Sequence, residues 1–353
     1  MSRVAIIGGG VAGLSAAAAL ARDGHEVIVF ETEANLGYHA SGRSAAMFEE
    51  NYGNATVRAL NRVTAPVLEE MGVFSPRGIL LVARAEESDR FHTDLEELGM
   101  TALSVQAARA WVPILSDSVV FAALNEGAMD IDTDAVLQGY AREARRFGAR
   151  IETNAAVTAI EPGRGVVADA VEVSADVIVN AAGAWADAVA ALAGVAPLGL
   201  QPYRRSMARM PAPGGQDVRE WPMLFGAGES WYAKPDAGSW IVSPAEEDPV
   251  QPMDAWADDM VLAEGMARYE AHVTEPVTRI EMNWAGLRTF APDRALVIGE
   301  EPTCAGFFWL AGQGGYGFQT SAGAATHLAS AVAGRPSPLG GSLTEALSPL
   351  RFR

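Results

Sequence analysis

The fold is decided by residues 4–31, which read VAIIGGGVAGLSAAAALARDGHEVIVFE. Residues 4–7 and 27–30 are short, uninterrupted apolar runs, the pattern of parallel strands that are buried on both faces. The alanine-rich stretch between them has high helix propensity and ends at Gly24, a residue type that commonly terminates helices. This order predicts a strand, a helix and a second strand joined in a right-handed parallel crossover.

The turn between the first strand and the helix carries three glycines at the spacing Gly8-x-Gly10-x-x-Gly13. Gly8 permits a tight turn, Gly10 lets the backbone approach a pyrophosphate, and Gly13 allows the helix to pack closely on the strand. The helix N-terminus offers free N–H groups and a positive dipole end to phosphates. Glu31 ends the second strand, a position suited to a ribose hydroxyl. These features predict dinucleotide binding but do not separate a nicotinamide from a flavin nucleotide.

A second glycine-rich junction favours the flavin. An apolar strand at residues 307–311 leads into Gly312-Gln-Gly-Gly-Tyr-Gly317, and a helix of small residues begins near Thr320. A helix end of this kind stabilises the negative charge that the N1–C2=O region of a flavin gains on reduction. The alternative is a tight turn that only packs the last helix.

Composition narrows the classes of protein. The chain has 353 residues, which predicts about two domains at roughly 150 residues each. Its net charge of −18 disfavours nucleic acid and anionic membrane surfaces as partners. The single cysteine, Cys304, excludes an internal disulfide framework and a multi-cysteine metal site, and we expect no metal. No apolar run approaches the about 20 residues of a membrane span, so we expect a soluble, cytoplasmic protein.

Periodicity places further elements along the chain. Helical spacing is found at residues 57–71, 86–98 and 134–147, the last of these capped by Asp132 and Thr133. Apolar runs predict strands at residues 79–82 and 177–180, and residues 201–282 resemble an antiparallel sheet.

Several motifs together resemble the D-amino acid oxidase superfamily of FAD enzymes, which also includes the glycine and sarcosine oxidases. They are GGGVAG (8–13), GYHASGRSAA (37–46), NAAGAW (180–185), WAGLR (284–288) and GQGGYG (312–317). Within the superfamily the chain resembles the bacterial FAD-dependent D-arginine dehydrogenases. This further similarity rests on DIDTD (130–134), LGLQP (198–202), RRS (204–206), WPML (221–224) and KPDAG (234–238).

The resemblance implies an α/β plus α+β fold. A Rossmann-like FAD-binding domain, with a parallel sheet and helices, would comprise residues 1–75, 128–200 and 283–353. A substrate-binding domain with a mixed, largely antiparallel sheet would comprise residues 76–127 and 201–282. Together with the glycine motif, the resemblance assigns the following residues to a non-covalent FAD: Gly8, Gly10, Val11, Ala12, Gly13, Glu31, Thr32, Ser41, Gly42, Arg43, Ser44, Ala45, Ala46, Met47, Val157, Ala182, Gly183, Trp185, Arg288, Gly314, Gly315, Tyr316, Gly317, Phe318 and Gln319.

The resemblance also implies a site for an amino acid. Arg205 and Arg288 would hold the substrate carboxylate, for which a guanidinium fork is well suited. Tyr52, on a lid loop, and Tyr232 would close over it, and these four are the expected catalytic residues. The expected substrate contacts are Tyr52, Ile79, Arg205, Met223, Phe225, Tyr232, Arg288 and Gly315.

Two departures from the D-arginine dehydrogenases bear on the substrate. Met47 stands where they have a histidine, and Ile79 stands where they have the glutamate that pairs with the substrate guanidinium. Because a buried charge without a partner is costly, the apolar Ile79 argues against a cationic side chain. We therefore expect an apolar or small side chain against Ile79, Met223 and Phe225, and we expect His39 to be structural rather than catalytic.

The expected reaction is oxidation of a D-amino acid to an imino acid, which water hydrolyses to a 2-oxo acid and ammonia. Tyr52 or water would take the proton from the amine. Lys234 does not fall where sarcosine-type oxidases place an oxygen-activating lysine, nor Cys304 where they attach flavin, which favours a dehydrogenase. The electron acceptor could be a quinone, another carrier or oxygen. Oxidation of N-alkyl amino acids, a flavin subunit of a larger dehydrogenase and a nicotinamide enzyme remain alternatives, and the oligomeric state is open.

Overall fold

The computed structural model describes residues 1–169 and 171–353. The helices are α1 (Val11–Arg22), α2 (Ala55–Glu70), α3 (Ser88–Glu97), α4 (Val105–Trp111), α5 (Thr133–Arg146), α6 (Ala186–Leu192), α7 (Asp259–Glu270), α8 (Ser321–Val332) and α9 (Gly341–Leu347). The strands are β1 (Arg3–Ile7), β2 (Glu26–Phe30), β3 (Met47–Phe48), β4 (Phe74–Pro76), β5 (Ile79–Arg84), β6 (Thr101–Leu103), β7 (Val119–Asn125), β8 (Met129–Ile131), β9 (Arg150–Glu152), β10 (Val157–Glu161), β11 (Gly165–Ala168), β12 (Val171–Ser174), β13 (Val177–Asn180), β14 (Gln201–Met210), β15 (Met223–Gly226), β16 (Tyr232–Asp236), β17 (Ser239–Ser243), β18 (Asp248–Pro249), β19 (Met282–Phe290), β20 (Val297–Glu300) and β21 (Phe307–Ala311).

A six-stranded sheet with the order β20-β21-β13-β1-β2-β9 forms the first layer. β1 is parallel to both β2 and β13, and only the edge strand β20 runs antiparallel to its neighbour. Helices α1, α5 and α8 cover one face, because their buried residues form one apolar core with β1 and β2. The predicted strand–helix–strand crossover is therefore confirmed, as are the helices predicted around residues 57–71 and 134–147.

A nine-stranded sheet forms the second layer, in the order β18-β14-β17-β16-β15-β5-β7-β6, with β19 paired to β14. β14 and β19 pair antiparallel over nearly their full length, from Gln201 opposite Phe290 to Arg209 opposite Met282. Only β5 and β15 run parallel. The predicted fold class, a Rossmann-like layer beside a largely antiparallel mixed sheet, is confirmed.

Helix α7 departs from the expectation that residues 201–282 are strands. Asp258 caps it, accepting hydrogen bonds from the backbone of Met260 and Val261, and it buries Leu262, Met266 and Tyr269 against the nine-stranded sheet. Those three side chains follow the helical spacing i, i+4, i+7, a signal that the tryptophan- and proline-rich surroundings obscured.

Candidate active site

One cavity of about 680 Å³ lies between the two sheets. Its walls come from the turn after β1, the carboxyl end of β13, the glycine-rich segment after β21, and strands β5, β14, β15, β16 and β19. Ligands of open α/β sheets bind outside the carboxyl ends of the strands, which is where this cavity begins. Its size falls within the range of small-molecule and cofactor sites.

The first glycine turn forms one end of the cavity. Gly10, Val11 and Ala12 line it, so the N-terminus of α1 faces the cavity with its positive dipole end. Glu31 also lines it, and its carboxylate accepts hydrogen bonds from the backbone N–H groups of Gly9 at 2.7 Å and Glu33 at 2.9 Å. The acidic residue and the glycine turn thus lie at the same end of the cavity.

Close backbone approach explains why glycine occupies this turn. A Cβ on Gly8 would lie 2.5 Å from the carbonyl oxygen of Ala181, and a Cβ on Gly13 would lie 1.9 Å from that of Gly8. Neither distance is possible for a real side chain. A side chain at Gly8 would push this turn away from the end of β13, and one at Gly13 would push α1 away from the end of β1. The residues present therefore fit a pyrophosphate-bearing dinucleotide such as FAD.

Most residues predicted to bind the cofactor line this cavity, and three do not. Gly13 allows the contact between α1 and β1. A Cβ on Gly42 would lie 2.6 Å from the carbonyl oxygen of Gly37, so glycine at position 42 allows the backbone to approach that carbonyl closely. The ring of Tyr316 packs 5.3 Å from the ring of Tyr52. These three residues lie behind the wall and shape it. The predicted cofactor residues on the wall are Gly8, Gly10, Val11, Ala12, Glu31, Thr32, Ser41, Arg43, Ser44, Ala45, Ala46, Met47, Val157, Ala182, Gly183, Trp185, Arg288, Gly314, Gly315, Gly317, Phe318 and Gln319.

Two arginines meet at the other end of the cavity. Arg205 on β14 and Arg288 on β19 belong to neighbouring antiparallel strands, and both line the cavity. Arg205 is 3% exposed, and its Nε donates to the carbonyl oxygen of Glu246 at 3.0 Å, which fixes the guanidinium. A Cβ on Gly315 would lie 3.0 Å from the guanidinium carbon of Arg288. Glycine at that position lets the second glycine-rich segment lie directly on this arginine.

A carboxylate that the sequence did not reveal lies between the arginines. Oε1 of Glu229 accepts hydrogen bonds from Nη1 of Arg205 at 2.9 Å, Nη1 of Arg288 at 3.2 Å and the hydroxyl of Tyr52 at 3.0 Å. Glu229 has a φ of 50°, a left-handed conformation that is strained for a glutamate. The three donors thus converge on a single carboxylate oxygen.

The charges of this cluster shift its protonation equilibria. Burial raises the pKa of Glu229, but Arg288 and Arg205 outweigh it and hold that pKa below its ordinary value, so the group is ionised. Burial, together with the charge of Glu229, raises the pKa of Tyr52 far above that of a free phenol. Tyr52 therefore remains a hydrogen-bond donor at neutral pH, which disfavours the expectation that it acts as a base.

Tyr232 reaches the cavity from β16. It is 2% exposed, lines the cavity, and its hydroxyl makes no hydrogen bond within the described part of the chain. Leaving such a group without a partner costs about 1–3 kcal/mol, so the hydroxyl is poised for a ligand.

The side-chain wall next to the arginines is apolar. Ile79 on β5 pairs with Met223 on β15, and both line the cavity with Phe225 and Met47. The structure thus brings together the residues that the sequence predicted for this wall. Glu49, which the sequence analysis did not single out, also lines the cavity.

Three other residues considered from the sequence lie as follows. Lys234 is buried outside the cavity wall, where its Nζ donates to the carbonyl oxygen of Ala45 at 3.0 Å and pairs with Asp130. Cys304 precedes β21 and does not line the cavity. His39 lines the cavity with its Nε2 3.0 Å from Glu33 and its ring 4.6 Å from that of Trp185.

Across residues 1–169 and 171–353, no cluster of three or more His, Cys, Asp or Glu side chains could hold a metal ion. The helices described for those residues include none that is long and apolar enough to cross a membrane.

Comparison with known proteins adds a family and a fold. The family model described as FAD dependent oxidoreductase matches residues 3–331. The chain is 30% identical over 230 residues to the anaerobic glycerol-3-phosphate dehydrogenase subunit A1 of Haloferax volcanii, and the match covers 54% of this chain but only 38% of that protein's length.

Two solved structures resemble the chain over nearly its whole length. An L-proline dehydrogenase from P. horikoshii has a TM-score of 0.85 at 22% identity, covering 99% of this chain and 97% of that one. A glycine oxidase from Geobacillus kaustophilus has a TM-score of 0.83 at 22% identity, covering 98% of each chain. At this level of identity the likeness shows the fold.

Proposed function

The chain belongs to the family of FAD-dependent oxidoreductases, and from this premise we propose that it oxidises D-amino acids with apolar or small side chains to imino acids, which hydrolyse to 2-oxo acids and ammonia. The observation that carries the proposal is the meeting of Arg205, Arg288 and Tyr52 on one carboxylate oxygen, inside the cavity that also holds the dinucleotide turn. A substrate carboxylate is the natural ligand for such donors.

In this proposal the chain's own residues bind and orient the substrate. Arg205 and Arg288 donate hydrogen bonds to its carboxylate, and the hydroxyls of Tyr52 and Tyr232 donate to the same carboxylate. Holding the α-carbon in one orientation supplies much of the rate enhancement, because it removes the entropy of alignment from the reaction. When bound, FAD supplies the hydride acceptor for the α-hydrogen, at N5.

The proposed reaction needs no side chain as a base. The α-carbon loses a hydride, the neutral amine loses one proton as its C–N bond becomes a C=N bond, and water then converts the imine to a 2-oxo acid and ammonia. We propose that water takes the amine proton, since Met47 carries no proton-accepting group and Tyr52 remains protonated.

The rest of the substrate would lie on the apolar wall. Ile79, Met223 and Phe225 are each less than 10% exposed and line the cavity beside the arginines. An apolar side chain gains burial there, whereas the wall itself offers no partner to a polar one. The names of two structural neighbours, an L-proline dehydrogenase and a glycine oxidase, support an amino acid as the substrate class.

This proposal includes the relation to the D-arginine dehydrogenases, the D-configuration of the substrate and the individual residue roles. It also includes the division into a FAD-binding domain (1–75, 128–200, 283–353) and a substrate-binding domain (76–127, 201–282). Strand β19 belongs to the first of these by sequence but pairs with the nine-stranded sheet of the second. We also propose that FAD is bound without a covalent link, because the only cysteine does not line the cavity. A cytoplasmic location is a further part of the proposal, supported by the low cysteine content of the sequence.

A second candidate, oxidation of N-alkyl amino acids with oxygen as acceptor, would suit the same clamp. The lysine on which that alternative depends is Lys234, which contacts Ala45 and Asp130 behind the cavity wall. This placement favours an acceptor other than oxygen.

The test is product analysis with the purified holoenzyme. Turnover of D-norvaline with a dye acceptor should release 2-oxopentanoate and ammonia in equal amounts, with little hydrogen peroxide in air. Release of methylamine from N-methyl amino acids with stoichiometric peroxide, and no turnover of D-norvaline, would favour the second candidate instead.

A further inference from the structure

Glu49 is a buried carboxylate in the wall of the cavity. It follows β3, is 6% exposed and lines the cavity. Its Oε1 accepts a hydrogen bond from the backbone N–H of Asn51 at 3.0 Å, and its Oε2 accepts one from the side-chain amide of Asn125. Two neutral donors therefore hold the carboxylate in one orientation.

The position of Asn125 sets this carboxylate beside the apolar wall. Asn125 ends β7 directly opposite Ile79 on β5, and residues directly opposite in an antiparallel pair share one face of the sheet. Asn51, the other donor, contacts Leu98 through its side chain, and Leu98 lines the same cavity. Glu49 thus lies at the Ile79 side of the pocket, away from the arginine pair that holds Glu229.

Glu49 forms no ion pair with a cationic side chain across residues 1–169 and 171–353. The charged group that most affects its pKa is another carboxylate, Glu50. Burial and that neighbour raise the pKa of Glu49, although the Asn51 N–H opposes the rise. By contrast, the other carboxylate at the substrate end, Glu229, is matched by two arginines. A buried carboxylate without a cationic partner, such as Glu49, is stabilised most by a further hydrogen-bond donor.

We infer that Glu49 binds the end of the substrate side chain and that, among side chains long enough to reach it, the site favours those ending in an N–H or O–H donor. The inference rests on the proposed function, since it takes the arginine pair as the carboxylate site. Ile79, Met223 and Phe225 contact the aliphatic stem, and Glu49, which Asn125 holds in place, forms the polar end of the pocket. The apolar Ile79, taken alone, argued against a cationic substrate side chain. Glu49, from a different segment, supplies the carboxylate that such a side chain needs.

Isosteric substrate pairs test the inference. D-Ornithine and D-norleucine differ by an ammonium in place of a methyl group, and D-homoserine and D-norvaline differ by a hydroxyl in place of a methyl group. For each pair, the kcat/KM of the substrate that ends in a donor is divided by the kcat/KM of its apolar isostere. This ratio is measured with a dye acceptor for wild type, Glu49→Leu and Glu49→Gln. Glu50→Gln, which makes the same charge change at an exposed neighbour, is the control.

In Glu49→Leu both ratios should fall by about tenfold to a hundredfold, because a donor loses its charged acceptor. In Glu49→Gln the ornithine ratio should fall as far, while the homoserine ratio keeps part of its value through the amide oxygen. Glu50→Gln should change neither. Ratios within about twofold of wild type in both Glu49 variants would overturn the inference. Failure of every D-amino acid to reduce the wild-type flavin would instead overturn the proposed function.

Discussion

Replacing Glu229 with glutamine should tighten the binding of carboxylate ligands. In the structure its Oε1 occupies the donors of Arg205, Arg288 and Tyr52, so a substrate carboxylate must displace it. Glutamine keeps the size of the side chain but removes its charge, so both arginines then donate to a neutral amide oxygen and the attraction of two ion pairs is lost. At about 1 kcal/mol lost per bond, the resident side chain is held about 2 kcal/mol less tightly. That difference corresponds to about thirtyfold tighter ligand binding.

The assay uses a carboxylate that cannot be oxidised, such as benzoate, titrated against the flavin absorbance of the holoenzyme. The Kd should fall about thirtyfold in Glu229→Gln and stay unchanged in Glu50→Gln, which alters the same net charge at an exposed position. A Kd that is unchanged would show that Glu229 does not compete for the arginines. A Kd that rises would show that Glu229 helps to bind the ligand, and would refute the reasoning.

Three further predictions concern the turn, the clamp and the pH dependence of stability. Gly13→Ala should abolish FAD retention during purification, since its Cβ would stand 1.9 Å from a carbonyl oxygen of the same turn, whereas Gly341→Ala, with no atom within 4 Å, should retain it. Arg205→Met should weaken amino acid binding roughly a hundredfold in anaerobic titration while the flavin stays bound; near-normal binding would remove Arg205 from the clamp. Burial raises the pKa of Glu301, but hydrogen bonds, the foremost from Arg353, outweigh it and lower that pKa to about 2. Ionised Glu301 therefore stabilises the fold above its ordinary pKa of 4.5 and loses that effect as the pH falls towards 2. The Tm of Glu301→Gln should lie below that of wild type by the largest amount at pH 7, and the difference should shrink below pH 4.5. A Tm difference independent of pH would contradict this.

The parts of the fold that were predictable are those with local signals. The glycine spacing after β1 and the apolar runs of β1, β2 and β13 depend on residues close in sequence, and all appear as expected. Helix α7 was missed because its apolar face, Leu262, Met266 and Tyr269, lies in a tryptophan- and proline-rich region whose short alternating runs resemble strands. The pairing of β14 with β19 is likewise set by tertiary contacts between segments distant in sequence.

The candidate site divides in the same way. Arg205, Arg288 and the tyrosines could be proposed from motifs, whereas Glu229 and Glu49 could not. Glu229 lies 24 residues from Arg205 and 59 from Arg288, and its partner Tyr52 is 177 residues away. Glu49 meets Asn125 across 76 residues of chain. Only the folded arrangement of both sheets shows that each carboxylate faces the cavity.

The central claim is that this flavoprotein takes reducing equivalents from the α-carbon of a D-amino acid held by its arginine pair. The most direct measurement is an anaerobic titration of the purified protein with the two enantiomers of norleucine, following the visible absorbance band of the flavin. We expect D-norleucine to bleach the band and L-norleucine to leave it unchanged. Bleaching by L-norleucine alone, or a preparation without flavin colour, would contradict the account.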